Sequence, residues 1–408
     1  MSAVLEPREI PSDEANAWRL QTPGSEGWER SPHPHAPNKY FMASADTHAN
    51  EPADLWEKRI DAEFRHRLPK VWVDDKGVRW RSSEGNERPD RLVLAALSGQ
   101  DQVRSRSGAT AEERLRDHDL DGIDTEIIFP NKGLAMWYTP DPLFAQAQCR
   151  VYNDWAWETF GPHSDRLVPV AAVATGDIEG TVKEIQRAAK RGFKALAFPC
   201  KPLYGEHKVG ELNYNSPEFD PVWAAAQDAD MPVTFHIATG KDPRTARGHG
   251  GAVINYVCHA VSTGLEPMVN LCASGVIERF PRLRFGTIEA GIGFILWMLD
   301  AMDEGYLKHH FAVRPKLKNL PSDYFRSNGF STFQEDRAGV SLAEEYGLVG
   351  NFLWANDYPH HEGTWPHSAQ AIERMMGGLS DESRAKILGF NAARIFNLDV
   401  PERYRAQA

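Results

Sequence analysis

Eight short apolar runs recur between Tyr40 and Asp357, and no other feature of the chain constrains its fold so tightly. The runs are FMASADTH (41–48), IDTEIIFP (123–130), LVPVAAV (167–173), GFKALAFP (192–199), MPVTFHI (231–237), LRFGTIE (283–289), the weaker FRSNGFST (325–332), and NFLWAND (351–357). Segments of helical spacing lie between them, among them PVWAAAQDAD and IEGTVKEIQRAAKRG, which ends in Gly192, a residue suited to a left-handed C-cap. Alternating strand and helix patterns mark a parallel sheet built from βα units. Eight such units predict an α/β fold, a closed (β/α)8 TIM barrel, whose chemistry gathers at the C-terminal ends of the strands.

Two stretches depart from this rhythm. Residues 1–39 are rich in Pro, Ser, Glu and His and have no periodicity, so they read as an extended N-terminal arm, either mobile or wrapped on a neighbouring subunit that shelters Trp18 and Trp28. Within the barrel region, 40–400, residues of about 53–115 form a charged insertion after the first strand, containing KVWVDDKGVRWRSS, which alternates like a hairpin about a DDKG turn. In a barrel such an insertion lies over the mouth. The final LSDESRAKILGFNAARIFNL reads as a closing helix with Ser380 as its N-cap.

The chain has 408 residues, 41% hydrophobic and 25% charged, as in an ordinary globular protein with a large core. A net charge of -11 argues against a nucleic-acid partner. Cys149, Cys200, Cys258 and Cys272 form no CxxC pair and fit a reducing cytoplasm. Neither a secretion leader nor a membrane-spanning apolar run is present, so a soluble protein is expected.

Asp46 and His48 lie two residues apart at the end of the first run, on one face of a strand, which in a barrel is the interior. The fifth run carries His236 at its C-terminal end and the eighth ends on Asp357. Each has a bland alternative: an Asp-x-His pair can open a polar loop, His236 can be a core histidine, and Asp357 can cap the turn in NDYPHH. Ligand-type residues closing strands one, five and eight together favour a single divalent metal ion. Imidazole and carboxylate donors without thiolates suit zinc first, then manganese or iron, with a position left open for water or substrate.

The segments ADTHANEP and WANDYPHHEGTWP, with a fifth strand ending in His, resemble the mononuclear branch of the amidohydrolase superfamily that includes aminocarboxymuconate-semialdehyde decarboxylase and related aromatic-acid decarboxylases. YNDWAWETF (152–160) followed by RLVPVAAV, SGVIERFPRLRF (274–285) and NAARIF extend the resemblance over residues 40–400. It implies a metal held by Asp46, His48, His236 and Asp357. Two departures stand out. Decarboxylases of this branch commonly carry Glu-x-His or His-x-His in strand one, so Asp46 either ligates or only hydrogen-bonds; and where several relatives end strand six in His, this chain has Glu289. Binuclear relatives carry a bridging lysine in strand four, but Lys194 falls early in its run, so one ion is expected rather than two.

Such a site serves two reactions. In hydrolysis a metal-activated water attacks a carbonyl, Asp357 takes or passes the proton, and Glu289 or His259 assists the leaving group. In decarboxylation the metal chelates the substrate carboxylate, and an acid protonates the ring or alkene carbon before carbon dioxide leaves. We place non-oxidative decarboxylation of a small aromatic or unsaturated carboxylate ahead of hydrolysis, with a non-catalytic metal-binding scaffold as the rival of another class. His259 sits in a helix-like apolar stretch where a structural role competes. His360 and His361 can orient Asp357 or reach the substrate. Lys201, Arg244 and Arg247 follow strands four and five, where a cation can hold a carboxylate. Trp137, Tyr138, Trp354 and Trp365 offer an apolar wall for a ring. The expected partners are a small-molecule substrate and a second copy of the chain, a homo-oligomer built through the arm and the insertion.

Overall fold

The parallel strands expected from the apolar runs follow one another around a barrel. In chain order they are Ala43–His48, Thr125–Phe129, a third split into Leu167–Pro169 and Ala171–Ala172, Leu196–Pro199, Val233–His236, Phe285–Ile288, Gly329–Phe333 and Phe352–Trp354. Each pairs in parallel with its sequence neighbours. The split third strand is bridged at Val170 and Ala171, whose amides donate to Ile128 O at 3.0 Å and Ala195 O at 2.9 Å. At the last seam the Asp357 amide donates to Asp46 O (3.1 Å) and the His48 amide to Tyr358 O (2.7 Å), joining strand eight to strand one. The structure is a computed structural model that describes residues 40–86, 88–92, 103–202, 213–239, 246 and 248–407. The arm expected over 1–39, together with Arg244 and Arg247, lies outside these described residues.

Strands buried on both faces explain why the runs are nearly continuous in apolar residues. Phe198, Phe235, Phe285 and Phe352 pack with helix residues Trp223, Leu271 and Ile295, whereas the alternate positions Ala45, Ala197, Phe330 and Leu353 belong to a second cluster. The intervening helices begin and end as their sequences dictate. Asp177 caps Ile178–Arg191 by accepting from the Gly180 amide, and Gly192 closes that helix at φ 109°, a left-handed conformation that glycine adopts without steric cost. Ser380 caps the closing segment, accepting from the Ser383 amide at 3.2 Å.

The seventh run is displaced from its expected span. Residues 325–328 complete the helix Pro321–Asn328, which opens with proline in its first turn and with Asp323 accepting from the Leu320 amide, and the strand begins only at Gly329. In the insertion, Lys70–Val73 and Arg79–Ser82 form the expected antiparallel hairpin, Trp72 opposite Trp80, with Asp74 Oδ1 accepting from the amides of Lys76 and Val78 across the turn. Arg67 fastens this region to the segment after strand two, donating to Asp141 Oδ2 at 2.7 Å and Glu84 Oε2 at 2.8 Å. The helix Ala111–Asp121 straddles the boundary at 115, and its contacts tie it to strands one and two. Among the described residues no helix is long and apolar enough to cross a membrane.

Candidate metal centre

Side chains from the C-terminal ends of strands one, five, six and eight converge on one point. His236 Nε2 lies 3.1 Å from His48 Nε2, 3.5 Å from Asp46 Oδ1 and 3.2 Å from Glu289 Oε2. His48 Nε2 in turn lies 3.6 Å from both Asp46 Oδ1 and Glu289 Oε2 and 3.4 Å from Asp357 Oδ1. The ligand atoms of Asp46, His48, His236 and Glu289 fall within 4.8 Å of one another, as do those of His48, Glu289, Asp357 and His360.

Local backbone features aim these groups. The pairing of strand one with strand two slips between Ser44 and Thr47, the stretch that contains Asp46, and irregularities of this kind re-aim side chains. Glu289 and Asp357 adopt left-handed backbone conformations, φ 64° and 54°, which cost a non-glycine residue about 1–3 kcal/mol and are held where surrounding structure fixes them. Gly363 supports Asp357 from behind: a Cβ there would stand 3.0 Å from Asp357 O and 3.1 Å from Asp357 Cβ, and closer still to Asn356 O.

Hydrogen bonding decides what the cluster can accept. His48 Nδ1 faces Pro130 O at 2.8 Å and His236 Nδ1 faces Ile237 O at 2.7 Å. A carbonyl only accepts, so each Nδ1 carries a proton, and the neutral form of each ring turns an Nε2 lone pair inward. All four carboxylate oxygens of Asp46 and Asp357 are buried without a hydrogen-bond partner. Apart from His360 Nδ1, 3.0 Å from Asp357 Oδ1, acceptors therefore face one another, which is costly in a buried site unless a cation satisfies them.

The titration of the groups agrees. Burial, with Asp357 beside it, pushes the Glu289 carboxyl well above the usual range, and burial with Asp46 does the same to Asp357. Burial and then the neighbouring His360 and His236 hold His48 well below the ordinary histidine value. At His236 burial also lowers the pKa, but the charges of Asp46 and Glu289 outweigh it and the net shift is upward. A divalent ion would bring down the carboxyls that ligate it by supplying the missing positive charge. The compact set of imidazoles and carboxylates matches a divalent-metal site.

The other expected residues are distributed unevenly. His360 stacks on His48 with ring centroids 3.9 Å apart and places Nδ1 3.0 Å from Asp357 Oδ1. His361 pairs instead with Glu362, 2.7 Å away. His259 lies in the π-helical turn Asn255–Ala260, its Nδ1 3.1 Å from Asn255 Oδ1, and is in neither ligand group. Lys201 is half-buried just past strand four. Trp354 packs with Phe333, Val340 and Phe352 in the apolar cluster shared with the helices, not among the ligand-type side chains. Trp137 is buried and donates to Val173 O at 2.8 Å, while Trp365 stands edge-on to Tyr358. Lys194 donates to Asn397 O at 3.0 Å and joins neither group.

Sequence reasoning passed over Tyr256, in the stretch after strand five. It is half-exposed, and its phenol is pushed up to about 12 by partial desolvation and by the charges of Glu289, Glu362 and Asp357. It also passed over the inward face of the helix Ala111–Asp121, where Arg114, Asp117, His118 and Asp121 are buried at helical spacing.

Comparison with known proteins gives the chain its fold and its family. The chain is similar to the γ-resorcylate decarboxylase of Rhizobium sp. (strain MTP-10005), 26% identical over 302 residues, covering 71% of this chain and 87% of that protein. Its fold is that of an amidohydrolase from Mycobacterium avium subsp. paratuberculosis (TM-score 0.71, 20% identity, 89% of this chain and 99% of that one). It is also that of the 5-carboxyvanillate decarboxylase of Novosphingobium aromaticivorans, solved with bound manganese and 3-methoxy-4-hydroxy-5-nitrobenzoic acid (TM-score 0.63, 18% identity, 88% and 98%). Residues 103–398, more than half of the chain, match the model of the amidohydrolase family, and the chain belongs to that family.

Proposed function

We propose that the chain is a divalent-metal-dependent, non-oxidative decarboxylase of a small hydroxylated aromatic carboxylate, with Asp46, His48, His236 and Asp357 holding the ion. The observation that carries this reading is the set of buried carboxylate oxygens left without hydrogen bonds around two imidazole nitrogens, in a chain whose curated relatives include γ-resorcylate decarboxylases. Two imidazole nitrogens and two carboxylates suit zinc and manganese alike. When bound, such an ion acts as a Lewis acid that gathers the negative oxygens of the substrate and fixes their orientation.

Glu289 supplies the acid. Kept out of the proposed ligand set, its carboxyl, pushed up by burial and by Asp357, holds a proton where strand six ends, beside the atoms of both groups. That proton passes to the ring carbon bearing the substrate carboxylate. The carbon–carbon bond then breaks, its electron pair restores the aromatic ring, carbon dioxide leaves, and Glu289 is reprotonated from solvent. His360 orients the Asp357 carboxylate from one side.

The test is an assay for carbon dioxide release from a panel of hydroxybenzoates, with protein reconstituted separately with zinc and with manganese. Release with at least one ring pattern is expected. A substrate that takes up oxygen-18 from labelled water without losing carbon dioxide would establish hydrolysis and overturn the lyase reading. His236→Ala and Asp357→Ala should both purify with little metal, and unchanged metal content in both removes the proposed ligand set.

Self-association is part of the same proposal. Trp297, Leu307 and Phe311, on and just after the helix Gly293–Lys308, are more than half exposed and leave apolar surface that a second copy would cover. Sedimentation that finds only monomer at assay concentration would overturn this part. Four free cysteines, three of them buried, support a reducing, cytoplasmic location.

A further inference from the structure

Beside the metal centre lies a second buried polar assembly with a different character. The helix Ala111–Asp121 buries positions 111, 114, 117, 118 and 121, the spacing of one helical face, but that face is Arg114, Asp117, His118 and Asp121 rather than apolar. Arg114 is fully buried, and each of its three nitrogens is engaged. Nε and Nη2 donate to Glu126 Oε1 and Oε2, both at 2.6 Å, in a two-pronged ion pair. Nη2 also donates to Thr47 Oγ1 at 3.0 Å, and Nη1 to His48 O at 2.7 Å.

The same guanidinium lies 4.9 Å from the ring centre of Tyr358, whose hydroxyl donates to Asp117 Oδ2 at 2.7 Å. Tyr358 follows Asp357, and its carbonyl receives the His48 amide across the barrel seam. One helix therefore grips the backbone on both sides of that seam, with a metal-ligand candidate on each side: His48 from strand one and Asp357 from strand eight. Asp121 extends the grip, accepting from Asn356 Nδ2 at 3.1 Å, while Asn356 Oδ1 accepts from Ser44 Oγ at 2.8 Å.

We infer that Arg114 is a positioning residue for the metal centre: through Thr47, the His48 carbonyl and the Tyr358 ring it sets the separation of the His48 imidazole from the Asp357 carboxylate. It touches neither ligand side chain. Its effect is geometric, because a planar fork fixed by Glu126 leaves the seam one arrangement, whereas a lysine at this position offers a single flexible point charge. Partners behind a ligand commonly change metal affinity by about 10–100-fold.

The inference rests on the ligand set proposed above, and the experiment separates the two. Full-length protein stripped of metal is titrated with Mn²⁺ against a chelating indicator, and the bound ion is examined by electron paramagnetic resonance. Arg114→Lys should raise the Mn²⁺ Kd about tenfold or more and broaden or shift the spectrum. Thr47→Val, which removes one acceptor of the fork, should act in the same direction and less strongly.

Melting temperatures distinguish positioning from bulk stability. A purely structural Arg114 lowers the melting temperature of metal-free and metal-loaded protein equally, whereas a positioning Arg114 also shrinks the rise that metal produces. A wild type that binds no Mn²⁺ overturns the ligand set and this inference with it. A wild type that binds, with a folded Arg114→Lys whose Kd stays within about twofold and whose spectrum is unchanged, overturns this inference alone. If Arg114→Lys does not fold, Thr47→Val decides, and a Kd and spectrum matching wild type overturn the inference.

Discussion

Two buried polar groups share the seam between strands one and eight, and they solve the problem of burial in opposite ways. Around Arg114 every guanidinium nitrogen meets an acceptor, so that Glu126 stays ionised: burial alone would raise its pKa, but Arg114 and His118 overcome burial and hold it far below the carboxylate range. At the strand ends Asp46, Glu289 and Asp357 face imidazole lone pairs, and burial drives Glu289 and Asp357 upward instead. Both sites contain a fully or nearly fully buried glutamate. A completed network supplies rigidity, and an incomplete one supplies affinity for what is missing.

The largest expected effect exploits that contrast by the same substitution in each site. Glu289→Gln should lower the rate of carbon dioxide release by about 100-fold to 10,000-fold, the contribution usual for a positioned acid, while metal content is kept. The metal-free variant should melt no lower than the metal-free wild type, because a neutral amide replaces a carboxyl that burial and Asp357 already disfavour in its charged form. Glu126→Gln should do the reverse. Removing one partner of a buried pair leaves Arg114 uncompensated and should cost about 3–5 kcal/mol in urea unfolding. Equal losses of stability in the two variants would erase the distinction between the sites.

The strand-end site was the more legible of the two in the sequence, for a physical reason. Strands covered on both faces read as apolar runs, so a run that ends on Asp, His or Glu stands out, and Asp46, His48, His236, Glu289 and Asp357 come together from such ends. Parity within a strand was harder to use at strand eight. Trp354 looked available to a pocket, yet it shares the alternation of Phe352, and both pack in the cluster toward the helices. The helix Ala111–Asp121 was opaque because hydrophobic periodicity finds buried faces by their apolar residues. Arg114, Asp117, His118 and Asp121 have the spacing of a buried face and the composition of a solvated one. His360 depended on the turn after Asp357, which no strand or helix period describes.

Asp121 tests the edge of the completed network through pH. Burial pushes its carboxyl up to about 7, with the hydrogen bonds from Ser368 and Asn356 only partly offsetting it. The unfolded chain has released this proton above 3.8, whereas the folded chain keeps it to about 7. Over that window the unfolded state binds fewer protons, so this group makes stability fall as pH rises, with a slope of at most about 1.4 kcal/mol per pH unit. Asp121→Asn should flatten that fall. Urea midpoints of variant and wild type at pH 4.5 and pH 7 check it, and parallel curves would show that Asp121 ionises freely in the fold.

The smallest effect is expected at the opposite end of the barrel, and it bears on how many ions the mouth holds. Lys194 precedes strand four, is half-buried, and donates to Asn397 O, a backbone carbonyl just past the closing helix. A lysine that bridged two metals would instead stand among the ligand atoms, and neither group of ligand atoms includes it. Lys194→Gln should therefore change stability by no more than about 0.5 kcal/mol, as at an ordinary surface site. Metal analysis should give one ion per chain in both proteins. Two ions in wild type falling to one in Lys194→Gln would mean that the lysine serves the centre, and the division between a metal-binding mouth and a purely structural base would have to be redrawn.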